Sequence, residues 1–334
     1  MSFSLNAALA APVQALAWLG NQGTRAVAAL VFFGIAAPPL GELLRPFVTE
    51  AIFLLLCISF MRVDLGGLRE HLRRPGLVAA ATAWTIIGVP LILAVSCHLI
   101  GLDVRDPALF LALMLQAIAS PMMAAPALAG LMGLDATLVL VTLVTGTILV
   151  PFTASLFAKV FLSATLTLSP LSLGLKLLGI LSGSLAVAAC IRLVCGAHAI
   201  KRYRRPIDGL NILILLVFVA AVMGNLVTDF LASPAQVVAL ALLAFVIFFV
   251  LVGTTTLLFC RIGGKRALAL GMMVSQRNMG LMLAATAGVL PPKTWLYFAV
   301  SQFPIYLSPQ LLSPIVRRLT TQKDVSAAAN AGVP

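Results

Sequence analysis

The stretch GMMVSQRNMGL, residues 271–281, interrupts an apolar run that extends from Ala267 to Leu290. Its most polar pair, Arg277 and Asn278, lies near the middle of that run. In a helix that rises 1.5 Å per residue, Arg277 is about 16–20 Å from either end, which is too far for its side chain to reach an interface. A central arginine costs about 2.5–3.5 kcal/mol to insert into a bilayer, so Arg277 needs a partner there.

The composition around this stretch is that of a membrane protein. Hydrophobic residues make up 61% of the 334 positions and charged residues 10%, against about half and about a quarter in soluble domains. Apolar runs of about 18 residues or more recur along the chain, which is enough to cross a bilayer as a helix. Their length favours helices over a β-barrel. We therefore expect an all-α polytopic membrane protein.

Apolar runs between charges, prolines and glycines predict ten transmembrane spans. In chain order they are residues 26–44, 48–62, 75–100, 107–130, 135–159, 170–195, 207–230, 234–260, 266–290 and 294–316. The N-terminal segment, residues 1–24, has no basic region that would indicate a cleaved signal peptide, and 2–22 are expected to form a short interfacial helix. Residues 319–334 are expected to be a disordered cytoplasmic tail.

The basic residues predict the orientation. With the N-terminus inside, 16 of the 22 lysines and arginines face the cytoplasm, five face outward, and Arg277 remains within a span. This positive-inside bias places both termini in the cytoplasm, and the expected location is a bacterial inner (plasma) membrane. The net charge of +12 is therefore explained by the membrane orientation and by attraction of the cytoplasmic side to anionic lipid. It does not indicate binding to nucleic acid. The partners expected are the lipid bilayer and a small solute.

The chain also repeats itself. Span four contains LALMLQAIASPMMAAPALAG (111–130) and span nine LALGMMVSQRNMGLMLAATAG (268–288), with their Leu-Ala-Leu triplets 157 residues apart. Pro75 and Pro234 open spans three and eight, 159 residues apart. Two units with five spans each lie in opposite orientations, as in many secondary transporters. The sequence thus predicts inverted repeats over 25–160 and 170–318.

Span four is expected to be broken or kinked near its middle. Ser120-Pro121 and Pro126 remove backbone donors and free carbonyls upstream. Unwound backbone at membrane depth is tolerated only inside protein or beside a water-filled cavity. The partner of Arg277 is then one of three: freed carbonyls of a broken helix, water in a cavity, or an anion from solution.

Other polar residues carry weaker expectations. Thr142, Thr145 and Thr147 of span five are expected to bond within their own helix. Gly224 and Asn225 indicate helix packing in span seven. Span ten is unusually polar and is expected to face a cavity, through Ser301, Gln302, Tyr306, Ser308 and Gln310.

The sequence contains few residues that could carry out enzymatic chemistry within the membrane. All ten acidic residues fall at span ends or in loops, whereas an ion antiporter normally needs a carboxylate at mid-membrane. No His-Glu-x-x-His motif or Asp-rich metal motif occurs, and no cofactor is expected. The five cysteines are scattered, with no metal-ligand spacing, and are expected to be mostly buried thiols. We therefore expect a protein that is not an enzyme.

The stretch MVSQRNMGLMLAATAGVLPP (273–292) resembles the ninth span of the bile acid:sodium symporter superfamily. That span carries a Glu-x-Gly-x-Gln-Asn type of motif followed by Pro-Pro, which here is Pro291-Pro292. The resemblance implies ten spans in two inverted five-helix repeats. It implies a panel of spans one, two, six and seven, and a core of the others in which broken spans four and nine cross.

The chain departs from that family at the positions whose side chains help to hold sodium. The family Glu falls on Met273, its Gln on Arg277, and its Ser-Asn pair on Ala125-Pro126, so that only Asn278 matches. Sodium sites need several oxygen ligands, and these substitutes supply none from their side chains. We expect no side-chain metal site and a sodium-independent relative in which the charge of Arg277 replaces sodium. Coupling through backbone carbonyls remains open.

The sequence thus favours a secondary active or facilitative transporter that moves a small or amphipathic organic anion by alternating access. The predicted substrate-binding residues are Arg277, Asn278, Gln276, Ser120 and Ser308. One alternative is a sodium-coupled symporter with backbone ligands, and another is a non-transporting ligand-binding or sensor protein.

Overall fold

The computed structural model describes residues 11–22, 29, 38–62, 75–163, 165–166, 168–286 and 289–330, with side chains described up to 319. These residues form helices joined by short turns. Among them there is no β-strand, and the only β-type pairing is one isolated bridge. The predicted all-α class is confirmed.

We number the helices in chain order. They are α1 (11–22), α2 (Pro38–Leu44), α3 (Val48–Met61), α4 (Pro75–Ala83), α5 (Val89–Leu99), α6 (Leu102–Arg105), α7 (Pro107–Ile118), α8 (Ala125–Leu131), α9 (Ala136–Phe161), α10 (Pro170–Arg202), α11 (Arg204–Met223), α12 (Leu226–Ala232), α13 (Pro234–Leu258), α14 (Gly264–Ser275), α15 (Met279–Thr286) and α16 (Pro292–Asn330). Single 3₁₀ turns precede α3 and α14, and a π-helical turn, Trp84–Gly88, joins α4 to α5.

Six helical stretches in the described part of the chain are long and apolar enough to cross a membrane. They are Pro39–Met61, Pro75–Leu99, Ala136–Phe161, Pro170–Arg202, Arg204–Ala232 and Pro234–Leu258. Their outer faces expose large apolar side chains, for example Leu193 at 84% and Val194 at 86%. Soluble monomers rarely expose apolar surface on this scale, so the molecule is an integral membrane protein.

The predicted spans agree with these helices in the middle of the chain and differ at several ends. Spans three, five and eight match to within two residues. The end predicted for span six at residue 195 agrees with the backbone of Gly196, whose φ of +78° and ψ of +152° are non-helical and interrupt α10 there. The loop predicted over 196–206 is only partly correct, because a short second helical piece follows Gly196 and reaches Arg202. The gap predicted between spans one and two is a single 3₁₀ turn, Arg45–Phe47.

The ends of the chain are only partly described. Of the interfacial helix predicted over 2–22, residues 11–22 are helical and the rest lies outside the described residues. Most of span one also lies outside them. The backbone of α16 continues to Asn330, past the start of the predicted tail, through a sequence rich in alanine.

Small residues decide how the helices approach one another. A Cβ built on Gly41 would lie 2.4 Å from the Cα of Gly224, so α2 and α11 touch backbone to backbone. The packing predicted at Gly224 is confirmed.

The cysteines are only partly as expected, because Cys57 and Cys97 are buried while Cys190, Cys195 and Cys260 lie on outer faces.

Candidate functional site at the crossing of two broken helices

Two spans are interrupted near their middles. In span four, α7 ends at Ile118 and α8 begins at Ala125. In span nine, α14 ends at Ser275 and α15 begins at Met279. Pro121 explains the first break, because it cannot donate a backbone hydrogen bond to the helix before it. The break predicted in span four is confirmed.

The two unwound segments pair with each other as a minimal antiparallel bridge between Pro121 and Arg277. The backbone N–H of Met122 donates to the carbonyl of Gln276 at 2.7 Å, and the N–H of Asn278 donates to the carbonyl of Ser120 at 2.8 Å. These bonds satisfy backbone groups that the helix breaks leave without local partners. Irregular backbone is thereby held inside the protein.

Arg277 is buried at this crossing, with 1% of its surface exposed. Its Nη1 donates to the carbonyl of Ala119 at 3.0 Å, and its Nη2 donates to the carbonyl of Thr85 at 3.1 Å. The first acceptor is free because α7 has just ended. The guanidinium therefore lies at the C-terminal end of α7, where the helix dipole is negative and stabilises a cation.

The second acceptor is free because of Pro90. Within the π-helical turn the N–H of Val89 donates to Trp84, so the carbonyl of Thr85 would next bond to the N–H of residue 90. Proline has no N–H, and this leaves the carbonyl available. Of the three partners considered for Arg277, the structure contains the freed carbonyls. Its Nε has no partner among the described residues.

The other predicted binding residues occupy different places around the crossing. Gln276 and Ser308 are brought together, with Nε2 of Gln276 donating to Oγ of Ser308 at 2.6 Å in the protein interior. Ser308 in turn donates to the carbonyl of Ile305 at 2.7 Å. Ser120 is buried and supplies its carbonyl to the crossing. None of these three borders the cavity described next.

A cavity of about 210 Å³ lies beside the crossing, between α3, α11 and α16. Its wall is mostly apolar, and its neutral polar residues are Ser59, Asn211, Asn278, Gln302, Tyr306 and Gln310. Arg277 also borders it, and no acidic residue does so within the described part of the chain. A small apolar pocket with a few polar groups is the usual form of a ligand site.

Asn278 connects the crossing to the cavity. Its Oδ1 accepts from the N–H of Leu281 at 3.1 Å, which caps the first turn of α15. Its Nδ2 has no hydrogen-bond partner among the residues with described side chains. Of the predicted binding residues, only Asn278 and Arg277 border the cavity.

The expectation for span ten is confirmed in part. Gln302, Tyr306 and Gln310 border the cavity, whereas Ser301 and Ser308 bond to backbone of their own helix. Ser59 and Asn211 were missed by the sequence reasoning. Each is an isolated polar residue within an apolar helix, which was the only available signal.

A basic cluster lies beyond the end of the cavity that Ser59 and Asn211 border. Arg62 and Asp208 pair at 2.7 Å, one helical turn beyond Ser59 and Asn211 respectively, and Arg204 lies 4.0 Å from the same carboxylate. Burial lowers the pKa of Arg62, and Asp208 opposes that effect. Two guanidinium groups share one carboxylate, so the local charge of this cluster is positive.

Two further ion pairs tie the broken helices to their neighbours. Asp106 caps α7 and pairs with Lys293 at the start of α16. Asp135 caps α9 and pairs with Arg266 near the start of α14 at 3.1 Å. Each aspartate thus stabilises a helix N-terminus and also binds a base from another helix.

The positions compared with family sodium ligands offer no side-chain oxygen. Ala125 and Met273 are buried apolar residues, and Pro126 lies in the first turn of α8. No group of three histidine, cysteine or acidic side chains that could hold a metal occurs among the described residues.

In span five, the intrahelical bond expected for Thr145 is confirmed at 2.8 Å, whereas Thr142 and Thr147 have no described partner for their hydroxyls.

A scan against protein-family models gave no match, and a search of curated proteins gave no significant relative. The resemblance of span nine to the bile acid:sodium symporter superfamily therefore rests on the quoted residues alone. The chain is an integral helical membrane protein in which two broken helices cross beside a cavity.

Proposed function

We propose that the protein is a membrane transporter that moves a small organic anion by alternating access, and that it is a divergent member of the bile acid:sodium symporter superfamily. Its helical, apolar character is compatible with transport. The observation that carries the proposal is the pairing of two interrupted helices at the wall of a cavity. Transporters bind their substrates at such discontinuous helices.

An inverted repeat is supported by the separations between bonded residues. Gln276 follows Ser120 by 156 positions, and Asn278 follows Met122 by the same number. Exchanging the two repeats therefore converts the hydrogen bond from Met122 to Gln276 into the bond from Asn278 to Ser120. Each segment pairs with its own counterpart, as expected at a two-fold axis in the membrane plane.

The two ion pairs support the same exchange. Arg266 follows Asp106 by 160 positions, and Lys293 follows Asp135 by 158. The pair that joins α7 to α16 therefore corresponds to the pair that joins α14 to α9, with the charges reversed. These separations lie close to the 157 and 159 found in the sequence.

The walls of the cavity fit a core and a panel. Helices α3 and α11 belong to proposed panel spans two and seven, and they supply Ser59 and Asn211. The crossing segments and α16 belong to the proposed core and supply Asn278 and Gln302. Movement of the core against the panel would change access to a ligand held between them.

The polarity of the cavity favours an anion with an apolar body. Asn278 lies at the N-terminus of α15, where the helix dipole favours negative charge. The amide of Asn211 can donate a hydrogen bond, and no described lining residue is acidic. Arg277 contributes positive potential from within the wall, and the basic cluster of Arg62 and Arg204 beyond the cavity attracts anions.

The contacts of Arg277 support its proposed replacement of sodium. Freed carbonyls at a helix end are suitable ligands for a cation, and here two of them accept from the guanidinium. The positive charge is therefore part of the chain and remains when the substrate leaves. The proposed transport is sodium-independent, with both termini cytoplasmic in a bacterial inner membrane.

The test is counterflow in proteoliposomes with a panel of radiolabelled carboxylates and sulfonates, with and without a sodium gradient. We expect exchange of at least one small anion without sodium. Strict sodium dependence would favour the sodium-coupled alternative. Saturable ligand binding without flux would instead favour a sensor and remove the transport proposal.

A further inference from the structure

We propose that Gly280, Ile52 and Phe218 form a seal that closes the cavity on the side away from the cytoplasm, and that the absence of a side chain at Gly280 allows this seal to form. The inference rests on the proposed transport function and on the predicted orientation. It assigns the structure to an inward-open state.

The cavity lies on one side of the crossing. Along α3 it extends from Ile52 to Ser59, and along α11 from Phe218 back to Asn211. Both series lead from the crossing toward the end of the bundle that carries the Arg62–Asp208 pair. The positive-inside count places that end in the cytoplasm.

The other end of the cavity is closed by close packing at Gly280. A Cβ built on this glycine would lie 2.3 Å from Cδ1 of Ile52 and 3.1 Å from Cε2 and Cζ of Phe218. The α15 backbone is therefore in direct contact with side chains from α3 and α11. These three residues all border the cavity and form its outer wall.

A second contact lies beyond this wall. The guanidinium of Arg45, between α2 and α3, lies 4.3 Å from the centroid of the Trp295 ring in α16. Trp295 is buried, so this cation–π contact covers the outer end of the interface between the proposed panel and core. Outward opening has to separate both the packing at Gly280 and the Arg45–Trp295 contact.

A side chain at residue 280 should therefore weaken the closed outer seal. Adding a methyl group to a well-packed contact forces neighbours to move, and the arrangement that separates them becomes relatively favoured. Gly280→Ala should shift the population toward outward-open molecules. Gly253→Ala is a matched control, because a Cβ there would meet nothing within 4 Å.

The reporter is Ala284→Cys in the full chain with its five native cysteines replaced by alanine. Ala284 is buried on the same face of α15 as Gly280, one turn farther from the crossing. A membrane-impermeant thiol reagent is added to the outer face of spheroplasts. We expect labelling to be at least about fivefold faster with Gly280→Ala and unchanged with Gly253→Ala.

Two further variants keep the proposal testable if Gly280→Ala folds poorly. Ile52→Val removes the Cδ1 atom nearest to the new methyl group, so the double variant should return labelling toward its original rate. Arg45→Gln removes the outer contact and should also accelerate labelling. Unchanged labelling in folded Gly280→Ala, or equal acceleration by Gly253→Ala, would overturn the seal.

The labelling needs no substrate, so its outcome is separate from that of the uptake assay. Absence of anion flux with accelerated labelling would remove the transport function and leave the conformational seal. Flux with unchanged labelling would remove the seal and leave the transporter.

Discussion

Arg277 donates a hydrogen bond of 3.1 Å to the carbonyl of Thr85, which precedes it by 192 residues. That carbonyl is available because residue 90, which would otherwise donate to it, is a proline. The charge in the middle of span nine and the proline in the middle of span three are thus parts of one arrangement. The helix distortion leaves a carbonyl without a donor, and the buried guanidinium supplies that donor.

Arg277→Ala should lower the unfolding temperature of the protein in detergent. The substitution leaves two buried carbonyls without their donor, at a cost of about 1–3 kcal/mol for each unsatisfied group. Leu213→Ala, on a partly exposed face of α11, is the control and should have a much smaller effect. Equal unfolding temperatures would show that the two carbonyl bonds contribute little.

Pro90→Ala should partly compensate for the loss of Arg277. An alanine at this position restores an N–H that can donate to the Thr85 carbonyl within the helix. We expect the double variant Pro90→Ala/Arg277→Ala to be more stable than the sum of the two single effects predicts, by about 0.5–3 kcal/mol. The measurement is a double-mutant cycle of unfolding free energies, and simple additivity would contradict the link between the two residues.

Arg277→Gln should create a dependence on sodium. The glutamine removes the fixed positive charge and leaves the Ala119 and Thr85 carbonyls free to bind a cation. Native protein should transport anion at the same rate in sodium and in choline buffers, whereas the variant should be faster in sodium. A variant that is equally active in both buffers would separate Arg277 from the proposed role of sodium.

Asn211→Leu and Gln276→Leu should affect different quantities. Asn211 borders the cavity, so its loss should raise the KM for the anion by about tenfold, which corresponds to one hydrogen bond of about 1.4 kcal/mol. Gln276 bonds to Ser308 away from the cavity, so its loss should lower stability by about 1 kcal/mol and leave KM unchanged. Uptake kinetics and thermal unfolding of both variants measure the two effects, and the reverse pattern would place the ligand elsewhere.

Asp135→Ala should destabilise the protein more than Asp135→Asn. The asparagine keeps an oxygen that can cap α9, and it loses the charge attraction to a partly exposed Arg266, worth about 1 kcal/mol or less. The alanine also loses the cap, which adds about 0.5–2 kcal/mol. Thermal unfolding should rank native protein, Asp135→Asn and Asp135→Ala in that order.

Because the protein lies in a bilayer, the positions of many of its helices can be predicted from the local sequence. Spans three, five and eight were located to within two residues because every backbone group in lipid must be satisfied within a helix. Pro121 likewise predicted the break in span four, since a missing N–H has the same local effect in any fold. The end of span six at residue 195 agrees with the non-helical Gly196, whereas the short helical piece that follows it to Arg202 was not predicted.

The site itself depended on contacts between distant segments. Asn278 was identified from its neighbours in sequence, but Ser59 and Asn211 were not, because lipid-facing and cavity-facing helix surfaces are both largely apolar. Gln276 and Ser308 were selected for their polarity, and the structure pairs them away from the cavity.

The sequence by itself determined that this is a helical membrane protein with a charge at the depth of a broken helix. It did so because hydropathy and proline act over a few residues. Only the tertiary structure decided what that charge binds, because the carbonyls of Ala119 and Thr85 come from two other spans. A hydrogen bond depends on distance and direction in space, and those are set when the helices pack.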